Sequence, residues 1–375
     1  MRVTIQRDGP DPPAVSASND RTLTLLFGPS SLLDNPARFE PWLNGHGTVL
    51  GCSSAGDILD DAVYDDALIA ATLEFKHTRV RSSSAVVSQA SDSHGAGQTL
   101  GTALAGEGLT AVFVLCDGLN VNGSELARGL NDALPEAVVV TGGLAGDGPR
   151  FERTWVCCDS KPREGIVAAV GFYGERLRVG HGSRGGWDTF GPERTITRSE
   201  GNVLYELDGR PALELYRTYL GDRADDLPSA GLLFPLAVRP DSESEETLVR
   251  TILGIDEEAQ SMTFAGDVPQ GHRARLMMAN FDRLILAASS AAGDARGCVS
   301  DAPEGDCVSL AISCVGRRLI LGERAEEELE AALEDMPAGT RQVGFYSYGE
   351  ISPLTPGTCE LHNQTMTLTS IWEVA

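Results

Sequence analysis

"LTAVFVLCDGLNVNGSELARGLNDALPEAVVVTGGLAGDG" occupies residues 109–148 and carries the pattern on which the fold reading turns. "LTAVFVLCDG" (109–118) is a β-rich apolar run of strand length, and "AVVVTGGLAGDG" (137–148) is a second one that ends in a glycine-rich turn. Between them, "GSELARGLNDALP" sets Leu126, Leu130 and Leu134 on one stripe, with Ser124 placed to cap a helix over 123–135. This is one strand–helix–strand unit. Other segments break the alternation. "ALIAATLEF" and "HTRVRSSS" within 67–84 read as consecutive strands, and strand-like runs follow one another at 152–159, 165–173 and 176–181. The spacing therefore predicts an α/β (mixed α+β) protein with mixed parallel and antiparallel sheets under covering helices.

Outward from that unit, strands are expected at 22–28, 47–54, 231–238, 247–255, 342–348 and 364–373. Helices are expected over 35–45, part of 91–105, around 277–292 and over 321–337, with "RPALELYRTYL" forming another after a DG turn. Residues 1–21 read as an irregular lead-in without the apolar core of a secretory leader. "AGD" at 55–57 and 145–147 follows an apolar strand and a small-residue turn both times, which marks two matched strand-end loops.

Composition excludes several classes of partner. Asp plus Glu number 54 against 30 Lys plus Arg, giving a net charge of −24. Nucleic acid and anionic membrane need clustered cations, so neither is expected as a partner. No apolar run approaches the roughly 18 residues that cross a bilayer. Eight cysteines include no C-x-x-C pair, and several sit inside apolar runs, where a reduced thiol packs as a small hydrophobe. A cytoplasmic setting is the expectation.

Fingerprints of common catalysts are missing. Neither of the glycine turns at 52–57 and 142–147 is a G-x-G-x-x-G or G-x-x-x-x-G-K-[ST] fingerprint, no G-x-S-x-G elbow is present, and the six histidines have no H-x-x-x-H spacing. Non-enzymatic action is expected. One enzymatic alternative remains, with Cys359 and His362 as nucleophile and base near Glu350 or Glu360. The turn holding Gly143, Gly146 and Asp147 offers backbone N–H groups to a ligand, or simply turns the chain. His181, flanked by Gly180 and Gly182 and followed by Trp187 and Phe190, offers an imidazole that a flat molecule could approach, or one that bonds backbone.

The stretch "GFYSYGEISP" (344–353) with "CELHNQTMTLT" (359–369) carries a resemblance, together with "GCSSAGDI" (51–58) and "TGGLAGDGPRFERTWV" (141–156). The most specific block is "GWDTFGPERTITRSEGNVLYELDGRPALELYRTYLG" (186–221). By these the chain resembles FIST proteins (F-box and intracellular signal transduction), with an N-terminal module over 22–198 and a C-terminal one over 199–375. The resemblance implies a bacterial small-molecule sensor acting on a signalling partner such as a histidine kinase or diguanylate cyclase. It implies a pocket wall along "YSYGE" and "HNQT", with Tyr346 or Tyr348 as the aromatic face, Glu350 and Asn363 as polar anchors and His362 beside them, while the turn of Gly143, Gly146 and Asp147 stays the second candidate for ligand contact. The ligand it implies is amino-acid-like, or haem that senses nitric oxide. For haem, His181 is the expected metal ligand, with Trp187 and Phe190 covering the ring.

Overall fold

Leu109–Cys116 and Val139–Leu144 do pair in parallel, Val112 opposite Val140, with the helix Gly123–Ala133 crossing between them. A parallel pair needs such a crossover, whereas the antiparallel partners on either side need none. The computed structural model describes residues 1–8, 19–43, 47–227, 229–243, 247–297, 303–355 and 357–375. His46 and Cys298, counted in the sequence, lie outside the described residues. The described helices are α1 (Glu40–Leu43), α2 (Ser93–Leu104), α3 (Gly123–Ala133), α4 (Ala212–Leu220), α5 (Phe281–Gly297), α6 (Val315–Leu321) and α7 (Ala325–Glu334).

Among the described residues four sheets carry the strands, and three of them contain one parallel pair each amid antiparallel neighbours. The first runs Arg2–Arg7, Ile69–Glu74, Thr22–Gly28, Thr48–Ser53, Val156–Cys158. The second runs Thr358–His362, Gly349–Thr355, Val139–Leu144, Leu109–Cys116, Ile166–Tyr173, Arg79–Val86. Leu177–Arg184, Met366–Glu373, Val308–Cys314, Arg341–Ser347, Asp57–Leu59 and Ala62–Tyr64 make the third. A fourth, antiparallel sheet is built from strands between Asp188 and Met278. Mixed sheets under covering helices are the architecture found.

The two halves exchange hairpins. Asp57–Tyr64 pairs with Arg341–Ser347, Ile58 opposite Gly344, and Gly349–His362 pairs with Val139–Leu144, Glu350 opposite Gly143. Between the first three sheets lies a shared core of Phe27, Leu50, Phe113, Phe172, Leu310 and Phe345. Phe27 stacks on Phe345 at 5.0 Å, and truncating either fully buried ring to Ala would cost about 3–5 kcal/mol. The helices cover the outer faces of the second and third sheets, while the fourth closes its own core over α4.

Among the local readings that change, three have a direct physical cause. Arg2–Arg7 is a strand rather than a lead-in, because its alternating Val3 and Ile5 find the open edge of Ile69–Glu74. The cap of α3 is Asn122, not Ser124, since Asn122 keeps an extended backbone and accepts the N–H groups of Ser124 and Glu125 at 3.0 and 3.2 Å. Residues 247–255 split into Leu248–Arg250 and Ile252–Asp256, which join different strand partners.

Candidate functional site

A cavity of about 280 Å³ opens where α3 begins, between the second sheet and the fourth. Its walls come from segments far apart in sequence: Leu119, Val121 to Gly123, Leu144 and Phe151 on one side, Asn202, Leu253 and Phe264 to Gly266 on the other, with Tyr348 and Leu361 behind. Gly118 lets the wall close up, because a Cβ there would sit 1.9 Å from Ala145 O. Phe151 and Tyr348 form a flat stack, centroids 4.2 Å apart and planes 13° from parallel. The Tyr348 hydroxyl donates to Gly148 O at 2.9 Å and accepts the Phe151 N–H at 3.2 Å. Burial pushes its pKa up to about 12, so it stays a neutral donor. Phe151 itself sits at φ 55°, in the left-handed region that a bulky residue seldom occupies. The loop that holds it there is pinned by Asp147, which is 1 % exposed. Its carboxylate accepts Arg150 Nε at 3.0 Å, Arg153 N–H at 3.2 Å and the Ser30 hydroxyl.

Of the pocket residues implied by resemblance, only Tyr348 lines this cavity. Tyr346 faces the other way, donating to Glu328 Oε1 at 2.9 Å in a buried network with Arg317 and Ser313. Glu350 is fully buried between the second and third sheets, where Ser347 Oγ donates at 2.6 Å, Thr365 Oγ1 at 2.8 Å and Thr365 N–H at 3.2 Å. Burial raises its pKa to about 8 against the pull of those hydrogen bonds. His362 lies opposite Glu350, hydrogen-bonds Ser352 O through Nε2 at 3.1 Å, and is driven by burial down to about 4. Asn363 is 1 % exposed, and neither end of its amide meets a partner among the described residues. Its Nδ2 lies close to Gly349, beside the Leu144 and Leu361 methyls that wall the cavity, so it backs the site without lining it. Gly143 pairs with Glu350, and the Gly146 N–H donates to Ser53 O at 2.9 Å, which joins the two matched strand-end loops.

His181, Trp187 and Phe190 point into three separate environments. His181 shares its strand face with Leu177 and Val179, toward the core between the sheets. Trp187 donates Nε1 to Gln364 O at 2.8 Å, and Phe190 meets Phe234 edge-on at 6.0 Å in the fourth sheet's core. These residues do not fit a haem. The glycines flanking His181 serve the opposite face of its strand, where they admit α5: a Cβ on Gly180 would lie 1.8 Å from Ala295 O, and one on Gly182 would lie 2.1 Å from Ala291 O. Cys359 and His362 fall on opposite faces of one strand, the thiol toward Asn131 and Ala127 of α3 and the imidazole toward Ser352. Burial lifts the Cys359 pKa to about 12, so no thiolate forms at neutral pH.

Phe151, Asn122, Asn202 and Leu253 escaped the sequence reading. Phe151 stands inside the quoted "GDGPRFERTWV" block, where an aromatic residue in a glycine-rich loop was the available signal. For Leu253 the signal was an apolar residue left 50 % exposed only once its strand breaks register, which no spacing announces. Comparison with protein-family models matches residues 22–210 to the FIST N domain and residues 212–353 to the FIST C domain. No curated protein matches the chain.

Proposed function

The chain belongs to the FIST family, and we propose that it is a small-molecule sensor whose ligand occupies the cavity behind Phe151 and Leu253. FIST domains are sensory domains of signal transduction. One observation carries the assignment to this cavity: its walls come from both family-matched regions. Leu119, Leu144, Phe151 and Asn202 lie in the FIST N match, and Leu253, Gly266 and Tyr348 lie in the FIST C match. A ligand touching both sides stabilises one relative placement of them by its differential affinity, which is the means by which binding can reach a partner. The partner in this reading is a signalling enzyme of the histidine-kinase or diguanylate-cyclase kind.

The site binds rather than turns over its ligand in this reading, since the one nucleophile–base pair suggested by sequence is split across a strand. No described helix is long and apolar enough to cross a membrane, and we take the site of action to be the cytoplasm. The test is a thermal-shift screen of small metabolites on the wild type and on Leu253→Trp, which fills the cavity mouth from an exposed position. A compound that raises the melting temperature of the wild type alone supports the reading. A screen in which every stabilising compound acts equally on both proteins overturns it.

A further inference from the structure

We infer that the cavity selects an uncharged, flat ligand bearing an N–H or O–H donor and rejects carboxylates, free amino acids included. This inference rests on the reading of the cavity as the ligand site.

The first ground is the wall itself. Among the described residues, no Asp, Glu, Lys, Arg or His lines it. The polar groups that do are mostly committed. Asn122 gives Oδ1 to the α3 N–H groups and Nδ2 to Asp267 Oδ1 at 3.2 Å. The Tyr348 hydroxyl is engaged on both sides, Gly118 N–H donates to Thr154 Oγ1, and Ala265 N–H donates to Thr251 O. Asn202 donates Nδ2 to Phe264 O at 2.8 Å, and among the described residues its Oδ1 has no donor. Among the wall's side chains that leaves Asn202 Oδ1, an acceptor that asks the ligand for a hydrogen.

The second ground is the charge behind the wall. Asp117 follows the wall's second sheet and accepts the N–H groups of Leu119 and Asn120, and Asp267 adjoins Gly266. Arg250 stands behind Gly266, but its Nε and Nη1 donate to the carbonyls of Asp267 and Leu361 at 2.8 and 2.9 Å. A ligand carboxylate would leave water for a site with two nearby carboxylates and an already engaged guanidinium, and an unpaired buried charge is strongly penalised. An amide of the same shape carries no such penalty.

The third ground is shape. The Phe151–Tyr348 stack presents a flat aromatic surface, and Phe151 remains 44 % exposed, so a ring can continue the stack. At about 280 Å³ the cavity lies at the low end for small-ligand sites and suits one or two rings.

The test uses probes matched in shape and different in charge. Phenylacetamide, phenylacetate and L-phenylalanine are titrated calorimetrically into the full chain and into Leu253→Trp. The expected result is binding of phenylacetamide at least about tenfold tighter than either carboxylate, lost in Leu253→Trp and weakened in Asn202→Ala. Phenylacetate or L-phenylalanine binding as tightly as the amide, and lost in Leu253→Trp, would overturn the ligand class while leaving the sensor site standing. Phenylacetamide bound equally by Leu253→Trp would remove the site, and no binding of phenylacetamide at millimolar concentration would overturn the inference as well.

Discussion

Asn122 Nδ2 donates to Asp267 Oδ1 across 3.2 Å while Asn122 Oδ1 caps α3, so one side chain ties the first helical turn of the FIST N region to a loop of the FIST C region. Replacing Asn122 by Ala removes both roles. A lost cap alone costs about 1 kcal/mol, within a range of roughly 0.5–2. Asn122→Asp keeps an acceptor for the helix but sets a second carboxylate against Asp267. We expect urea unfolding to order the proteins as wild type, then Asn122→Asp, then Asn122→Ala; coincident wild-type and Ala curves would refute the tie.

Phe151 yields an inverted order of substitutions. Its φ of 55° costs a non-glycine residue about 1–2 kcal/mol, and the stack on Tyr348 returns about 0.5–1.5 kcal/mol. Phe151→Gly relieves the strain as it loses the stack, so its stability should stay near that of the wild type. Phe151→Ala loses the stack and keeps the strain. We predict that the Gly protein melts at a higher temperature than the Ala protein, and that both bind ligand more weakly than the wild type. An Ala protein at least as stable as the Gly protein would show that the backbone is not strained there.

Glu350 makes stability depend on pH in a set direction. Burial lifts its pKa from 4.5 to about 8 in the fold, so the folded state holds a proton that the unfolded chain releases earlier. That contribution is complete below about pH 4.5 and is lost as pH rises through about 8. His362 has the opposite sign: burial lowers it from 6.5 to about 4, and its contribution grows between those values. The stability difference between wild type and Glu350→Gln, measured by urea titration, should therefore fall from pH 4.5 to 8, with a slope of at most about 1.4 kcal/mol per pH unit. A difference independent of pH would mean that Glu350 does not take up a proton on folding.

Arg317 and Glu328 form a fully buried pair, Nη2 to Oε2 at 2.8 Å, and Glu328 also accepts the Ser313 and Tyr346 hydroxyls. Arg317→Ala strands a carboxylate and should cost about 3–5 kcal/mol, whereas the double change Arg317→Met with Glu328→Leu should cost less. Chemical unfolding of the two variants decides this, and a double variant weaker than Arg317→Ala would contradict it.

His181 should be neutral toward haem. With Trp187 held on Gln364 O and Phe190 packed on Phe234, neither beside His181, optical titration of haem should give matching curves for the wild type and His181→Ala. A Soret band present only in the wild type would reverse this expectation.

Local rules carried the fold class. Period-two alternation, the leucine stripe of α3 and the glycine and aspartate turns depend on neighbours in the chain, and from them the strand–helix–strand unit of 109–148 and the mixed sheets were legible. The resemblance in the 186–221 and 344–369 blocks marked the family and, through Tyr348, one wall of the cavity. The remaining walls were not legible. Tyr346, Tyr348 and Glu350 stand two residues apart in sequence, yet the chain bends after Ser347 and sends them to a helix-covered network, a cavity and an intersheet layer. Phe151, Asn202 and Leu253 meet Tyr348 only because the halves exchange hairpins and the fourth sheet folds back on α3. Those contacts follow from burial of apolar faces contributed by distant segments, which no local pattern encodes, so tertiary structure alone decided where the cavity lies and which side chains face it.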